Sequence, residues 1–188
     1  AVDSLGRVYG ASVTGQILRF TGKEETPEEV ADTKGRPLGL DFDATGNLYI
    51  ADAIRGLLRL NTNGSLEVLS TGVDNRPFGF VDDVEVGPDG KVYFSDASDR
   101  WPLEAYKFDL LEHRPYGRLV VYDPETGQTT TLLDDLYFAN GIAVAPDTSF
   151  VLVNETSNYQ TLRYYLKGTR QGEVDTFIQN LPAFPDGI

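Results

Sequence analysis

The chain contains no cysteine. That excludes disulfides, zinc–thiolate sites and a cysteine nucleophile, and it leaves the redox compartment open. There is no methionine, and there is only one tryptophan and one histidine. Basic residues are scarce: 16 Lys and Arg stand against 29 Asp and Glu, giving a net charge of −13 and a pI near 4.4. Nucleic acid is held through Lys and Arg on phosphate, so a surface of this sign repels it. It suits divalent cations, although a merely solvated acidic surface has the same composition. No apolar run is long enough to span a membrane. No Gly-x-Ser-x-Gly elbow is present, which removes the support for a serine hydrolase.

No leader is visible, and Ala1 reads as the middle of a repeat. The expectation is a piece of a longer chain, incomplete at both ends, from a protein that is exported (periplasmic or extracellular) rather than cytoplasmic. Asn63-Gly64-Ser65 and Asn154-Glu155-Thr156 match the N-glycosylation pattern, a signal that often arises by chance. The oligomeric state is not readable from the sequence.

What is present is a repeat. Asp3-Ser4-Leu5-Gly6-Arg7-Val8-Tyr9 is echoed by Asp43-Ala44-Thr45-Gly46-Asn47-Leu48-Tyr49, then by Asp89-Gly90-Lys91-Val92-Tyr93-Phe94 and by Pro146-Asp147-Thr148-Ser149-Phe150-Val151. Each copy joins an apolar run to a β-branched or aromatic run through a Gly or Asp turn, the mark of a hairpin. Two more strand-like runs follow in each unit. In the third they are Gly117–Tyr122 and Thr129–Leu133, joined at Asp123-Pro124-Glu125-Thr126-Gly127. Four strands per period of roughly 40–50 residues predict an all-β chain of β-propeller blades. A β-sandwich is the structural alternative, but it would not repeat the turn motif in register. About four blades are expected, in one domain over residues 1–188. Residues 97–116 interrupt the third unit with Trp101, Pro102 and an expected short helix at Leu103–Glu112. They are either a surface loop or a cap over one channel mouth, since insertions in repeats collect on one face.

The repeat also places a lone polar residue in one register. Asp82 lies six residues before Pro88, Asn140 six before Pro146, and Asp186-Gly187-Ile188 starts the same pattern again. The second unit has Leu38 there, six before Ala44. A symmetry axis brings equivalent positions together. Two carboxylates and an amide are hard oxygen donors suited to Ca²⁺, with Mg²⁺ or another divalent cation as alternatives. The bland reading of Asp82, Asn140 and Asp186 is as turn or capping residues. Phe80, Phe138 and Phe184 sit two positions before these residues, with Arg36 in the same register. Alternation would turn them toward the channel mouth beside Leu38, as an apolar wall for a substrate or as packing between blades. His113, within Glu112-His113-Arg114, is expected to be solvated or structural.

Several ordered runs carry a family resemblance. They are Asp109-Leu110-Leu111-Glu112-His113-Arg114-Pro115-Tyr116-Gly117-Arg118-Leu119, Leu136-Tyr137-Phe138-Ala139-Asn140-Gly141, Phe150-Val151-Leu152-Val153-Asn154-Glu155-Thr156, Arg163-Tyr164-Tyr165-Leu166-Lys167-Gly168 and Asn180-Leu181-Pro182-Ala183-Phe184-Pro185-Asp186-Gly187-Ile188. The chain resembles strictosidine synthase-like proteins, in a superfamily that includes gluconolactonases and paraoxonases. The resemblance implies six blades in the family and a Ca²⁺ on the axis, matched here by Asp82, Asn140 and Asp186. The superfamily's remaining ligand, a Glu opening the first blade, falls before Ala1. Asp83 matches a position that helps hold a second, structural Ca²⁺ in paraoxonases. Paraoxonase-type lactonases carry histidine where this chain has Leu38, so a histidine base is not implied. The plant alkaloid synthase lacks the metal site, so Asn140 and Asp186 argue against condensation. The expected activity is Ca²⁺-dependent hydrolysis of lactones, esters or related phosphoesters, with Asp186 as the carboxylate assisting attack. The alternative is a non-enzymatic propeller that binds a small ligand or a protein.

Overall fold

The computed structural model describes residues 1–22 and 26–188. The strands fall into consecutive antiparallel meanders. The first holds β1 (Val8–Ala11), β2 (Gln16–Phe20) and β3 (Glu28–Asp32). The second holds β4 (Pro37–Phe42), β5 (Leu48–Asp52), β6 (Gly56–Leu60) and β7 (Leu66–Ser70). A short ribbon of β8 (Gly72–Val73) and β9 (Arg76–Pro77) leads into the third. That sheet holds β10 (Val81–Val86), β11 (Val92–Asp96), β12 (Gly117–Asp123) and β13 (Gln128–Leu136). The fourth holds β14 (Ala139–Val144), β15 (Phe150–Glu155), β16 (Gln160–Tyr165) and β17 (Val174–Ile178). Three four-stranded blades and one three-stranded blade are the expected propeller array. At residues 186–188, where a further strand is expected to open, the Gly141 amide donates to the Asp186 carbonyl at 3.0 Å.

The turn chemistry explains the hairpins. Asp43 accepts the amides of Thr45 and Asn47 through one oxygen, and Asp147 does the same for Ser149. Each first hairpin then needs a residue at positive φ, supplied by Gly6, Gly46 and Gly90 and, in the fourth copy, by Thr148 at 56°.

Strand alternation divides the core into layers between blades. Leu48 and Ile50 of β5 pack against Tyr9 and Ile17 of the first blade. Tyr49 and Ala51 face the other way, toward Val81, Val84, Val92 and Phe94 of the third. In β11, Tyr93 points away from that layer and joins Ile142, Val144, Val151 and Val153 of the fourth. A central strand thus has no solvated face, which is why β5 reads Leu48-Tyr49-Ile50-Ala51 and β11 Val92-Tyr93-Phe94-Ser95, each buried throughout and ending in Asp. Burying each large side chain contributes roughly 1.5–3 kcal/mol.

That terminal Asp recurs for a reason. Asp96 accepts the amides of Gly79 and Phe80 and receives Arg118, and the Arg118 and Asp96 side chains are both fully buried. Arg118 also donates to the Pro77 carbonyl and lies over the Phe78 ring. In the second blade, Asp52 accepts the amides of Arg36, Ile54 and Arg55. In the fourth, Glu155 accepts the Tyr137 amide. Each carboxylate fixes the loop that leads into its blade's first strand.

The insertion forms a 3₁₀ turn at Leu103–Ala105 and helix α1 (Tyr106–Glu112). Leu103, Tyr106 and Leu110 pack on Ala53, Phe80, Ala97 and Phe138. His113 ends the helix in the left-handed conformation and lies exposed against the Tyr137 ring. Asn154 is buried and hydrogen-bonded, so it cannot serve as a glycan acceptor, whereas Asn63 sits on an exposed turn.

Helix α1 also buries a carboxylate. Asp109 is 1% exposed and neither oxygen has a hydrogen-bond partner. Burial pushes it up to about 6, helped by Glu112 and Asp99, with Ser98 and His113 pulling the other way. Because the folded-state value is raised, the protonated form favours the fold. Its contribution is complete below about pH 4 and is lost as pH rises through about 6. Asp109→Asn should therefore flatten stability between pH 4 and 7 and stabilise the protein at pH 7 by up to ~3 kcal/mol. Urea unfolding followed by the single tryptophan, Trp101, checks this; parallel pH profiles for the two proteins would contradict it. Asp96→Ala leaves Arg118 charged and buried and should cost about 3–5 kcal/mol by the same measurement.

Candidate metal centre on the propeller axis

The first strand of each complete blade is irregular at one place. Pro37 pairs with Asp52 and Leu40 with Ile50, so Leu38 and Gly39 together oppose Ala51. Val81 pairs with Asp96 and Val84 with Phe94, so Asp82 and Asp83 oppose Ser95. Ala139 pairs with Glu155 and Ile142 with Val153, so Asn140 and Gly141 oppose Asn154. Two residues against one is a β-bulge, which bends the strand and redirects a side chain. The bulge falls on the register position singled out in the sequence. It turns that position toward the axis, where strands β4, β10 and β14 pack side by side.

The result is one small cavity of about 260 Å³, lined by Leu38, Gly39, Asp82, Asp83, Asn140, Asp186 and Gly187. All three proposed metal donors are there, with Leu38. The expected aromatic wall is not. Phe80 and Phe138 meet edge to face at 5.7 Å and lie under Tyr106 of helix α1, buried outside the cavity lining. Phe184 is 55% exposed and stacks on Tyr159 at 4.9 Å. The bulge explains the difference for the first two, because an extra residue breaks the two-residue phase that alternation assumes. Phe138 adds a left-handed backbone at φ 56°, a costly conformation for a bulky residue.

A larger cavity, about 670 Å³, lies between the first two blades. Several of its charged groups are committed to one another: Asp3 to Arg7, Arg19 to Glu28, Asp43 to Asn47. The axial cavity is the candidate site despite its size, because it gathers the equivalent positions of successive repeats.

The axial cavity is strongly acidic. Asp82 is pushed up to about 7 by burial first, then by Asp186 and Asp83; Arg36 opposes the shift. No hydrogen bond contributes to that balance. Asp83 is raised by burial against the amides of Ile142 and Val84, which it accepts at 3.0 and 2.9 Å. Among the described residues no three His, Cys, Asp or Glu side chains form a metal-binding group. The donor set is two carboxylates completed by the Asn140 amide, a combination that fits a hard cation.

Close approach of neighbouring blades demands small residues here. A Cβ on Gly39 would lie 2.7 Å from the Asp83 backbone, and one on Gly141 would lie 2.3 Å from the Asp186 carbonyl oxygen. The Asp52, Asp96 and Glu155 loop anchors went unread in the sequence. The signal was available in Ile50-Ala51-Asp52, Phe94-Ser95-Asp96 and Val153-Asn154-Glu155, each closing a second strand.

An array of four-stranded propeller blades whose first strands meet at one acidic axial cavity defines the class of this protein. The strictosidine synthase family profile matches residues 82–169. STRICTOSIDINE SYNTHASE-LIKE 6 of Arabidopsis thaliana is 39% identical over 191 residues, covering 99% of this chain and 51% of that protein. The chain belongs with the strictosidine synthase-like proteins. It spans about half the length of the curated relatives it matches. Among solved structures, a gluconolactonase from Xanthomonas campestris superposes with a TM-score of 0.76 at 19% identity, over 97% of this chain and 62% of that one. The calcium-binding protein regucalcin from Agrobacterium tumefaciens gives 0.71 at 15%, over 97% and 59%. At these identities the likeness establishes the fold.

Gly141→Ala should destabilise the protein by about 1–3 kcal/mol by forcing the Asp186 segment away. Gly187→Ala has open space around it and should stay within ~0.5 kcal/mol. Chemical denaturation of both variants checks this; equal effects would mean that the strands do not meet closely at the axis.

Proposed function

We propose that this chain carries most of a Ca²⁺ site serving a hydrolase of lactones, esters or related phosphoesters. The observation that carries this reading is the convergence of Asp82, Asn140 and Asp186, from three different blade repeats, on one cavity. The raised proton affinity of Asp82 supports it, since a carboxylate short of counter-charge is one that a dication stabilises.

In this reading Asp82 and Asp186 supply charge and Asn140 a neutral oxygen. Bound there, a divalent cation supplies Lewis-acid polarisation of a carbonyl or phosphoryl oxygen. Asp186 is assigned the role of taking a proton from attacking water. Leu38 contributes an apolar side to the cavity. The likeness to regucalcin, described as a calcium-binding protein, supports the metal reading, and the likeness to a gluconolactonase supports a lactone substrate.

A second reading is a propeller that binds a ligand or protein without turnover, the metal only fixing the axis. Leu38 favours it, because an apolar residue at the second blade's axial position supplies neither a donor nor a base.

Calorimetric titration of Ca²⁺ into chelator-stripped protein should show one site, lost in Asn140→Ala, and chelator should abolish turnover across a lactone and ester panel. Absence of Ca²⁺ binding would sink the metal reading. Binding with no turnover would leave the second reading in its place.

A further inference from the structure

Asp186 differs from the other two donors in how its backbone is held. Asp82 and Asn140 lie in the bulges of β10 and β14, with paired residues of the same strand on either side of each. Asp186 lies after β17, and its backbone is held by the fourth blade. The Asn154 Nδ2 donates to the Asp186 carbonyl at 2.7 Å, and the Thr156 hydroxyl donates to the Pro185 carbonyl at 2.7 Å. The Gly141 amide donates to the same Asp186 oxygen at 3.0 Å.

The Asn154 side chain has no freedom. It is 3% exposed, and its Oδ1 accepts the Thr161 hydroxyl at 2.7 Å from the paired position on β16. Only an amide nitrogen can meet the Asp186 carbonyl, so the orientation of the group is determined. Asn154 occupies the position opposite the bulge. There the second blade has Ala51, which has no donor, and the third has Ser95, which accepts the Asp83 amide within its own sheet. Asn154 alone of the three reaches past its own sheet. Thr156 is likewise buried.

We infer that Asn154 and Thr156 are positioning residues for the metal centre: they clamp the Pro185–Asp186 backbone and so set where the Asp186 carboxylate enters the axial cavity. This rests on the metal reading above. Neither residue is a ligand, and each acts only through the backbone it holds. Partners that orient ligands in this way typically change metal affinity by ~10–100-fold when removed.

The test uses near-isosteric changes. Asn154→Asp removes the donor, Thr156→Val removes the hydroxyl and Thr156→Ser retains it. Calorimetric Ca²⁺ titration should show affinity falling by ~10-fold in Asn154→Asp and in Thr156→Val, and preserved in Thr156→Ser. Hydrogen exchange at the Gly141 amide, measured in chelator, should accelerate in the two weakened variants and not in Thr156→Ser. A general loss of structure would lower melting temperature in all three and would not be rescued by serine. Unchanged Ca²⁺ affinity in both Asn154→Asp and Thr156→Val, with wild type binding normally, would overturn the inference. Failure of the wild-type protein to bind Ca²⁺ would overturn the metal reading itself and the inference with it.

Discussion

The propeller's axis is held by carboxylates that reach from one blade's first strand to the backbone of the next. Asp41 accepts the Val86 amide at 2.8 Å, Asp83 the Ile142 amide at 3.0 Å, and Glu85 the Val144 amide at 2.7 Å. Each first strand has a second strand on one side only, so its other edge carries amides with no ladder partner. An ionised carboxylate is the strongest acceptor available to such an amide, and it replaces the missing ladder where two strands diverge. The links run in one direction, from the second blade to the third and from the third to the fourth. They add directional bonds to the apolar layers that already pack blade on blade.

This way of joining blades gathers carboxylates beside the axial cavity. Burial raises Asp83 and Glu85, and each is raised further by Asp41. Amides offset part of that cost. Asp82 gets no such help and is pushed highest. The acidic centre is therefore a consequence of how the blades are joined, and a dication is the simplest species that would relieve it. Net charge alone could not have shown this, because most of the chain's acidic residues are solvated in turns or paired with Arg.

Much of the fold was legible because its determinants are local. Asp43-Ala44-Thr45-Gly46 and its copies specify a turn, and runs such as Val92-Tyr93-Phe94 specify a strand buried on both sides. The meeting of Asp82, Asn140 and Asp186 at one cavity was legible for a different reason: symmetry makes equivalent positions meet, so register alone pointed to it. Of the two alternatives for Phe80 and Phe138, wall or packing, the fold takes the packing one. Alternation holds only in an unbroken ladder, and the bulge at each donor position ends it. The anchoring roles of Asp96 and Glu155 were illegible because they depend on loops that return from elsewhere, Gly79–Phe80 in one case and Tyr137 in the other.

The bulge and the anchor together explain why the site is where it is. A regular strand would point alternate residues into the layers between blades, where a polar side chain would be buried without partners. Two residues set against one release a single position from that alternation and turn it to the axis. The bend also opens the loop before it, and a buried carboxylate at the end of the second strand holds that loop by its amides. The cost of the irregularity is thus met by Asp52, Asp96 and Glu155, while its product is a free side chain at Leu38, Asp82 and Asn140. In the second blade the machinery is intact although the product is apolar. The scaffold is consequently independent of the chemistry it presents, and changing one axial residue alters the site without altering the blade.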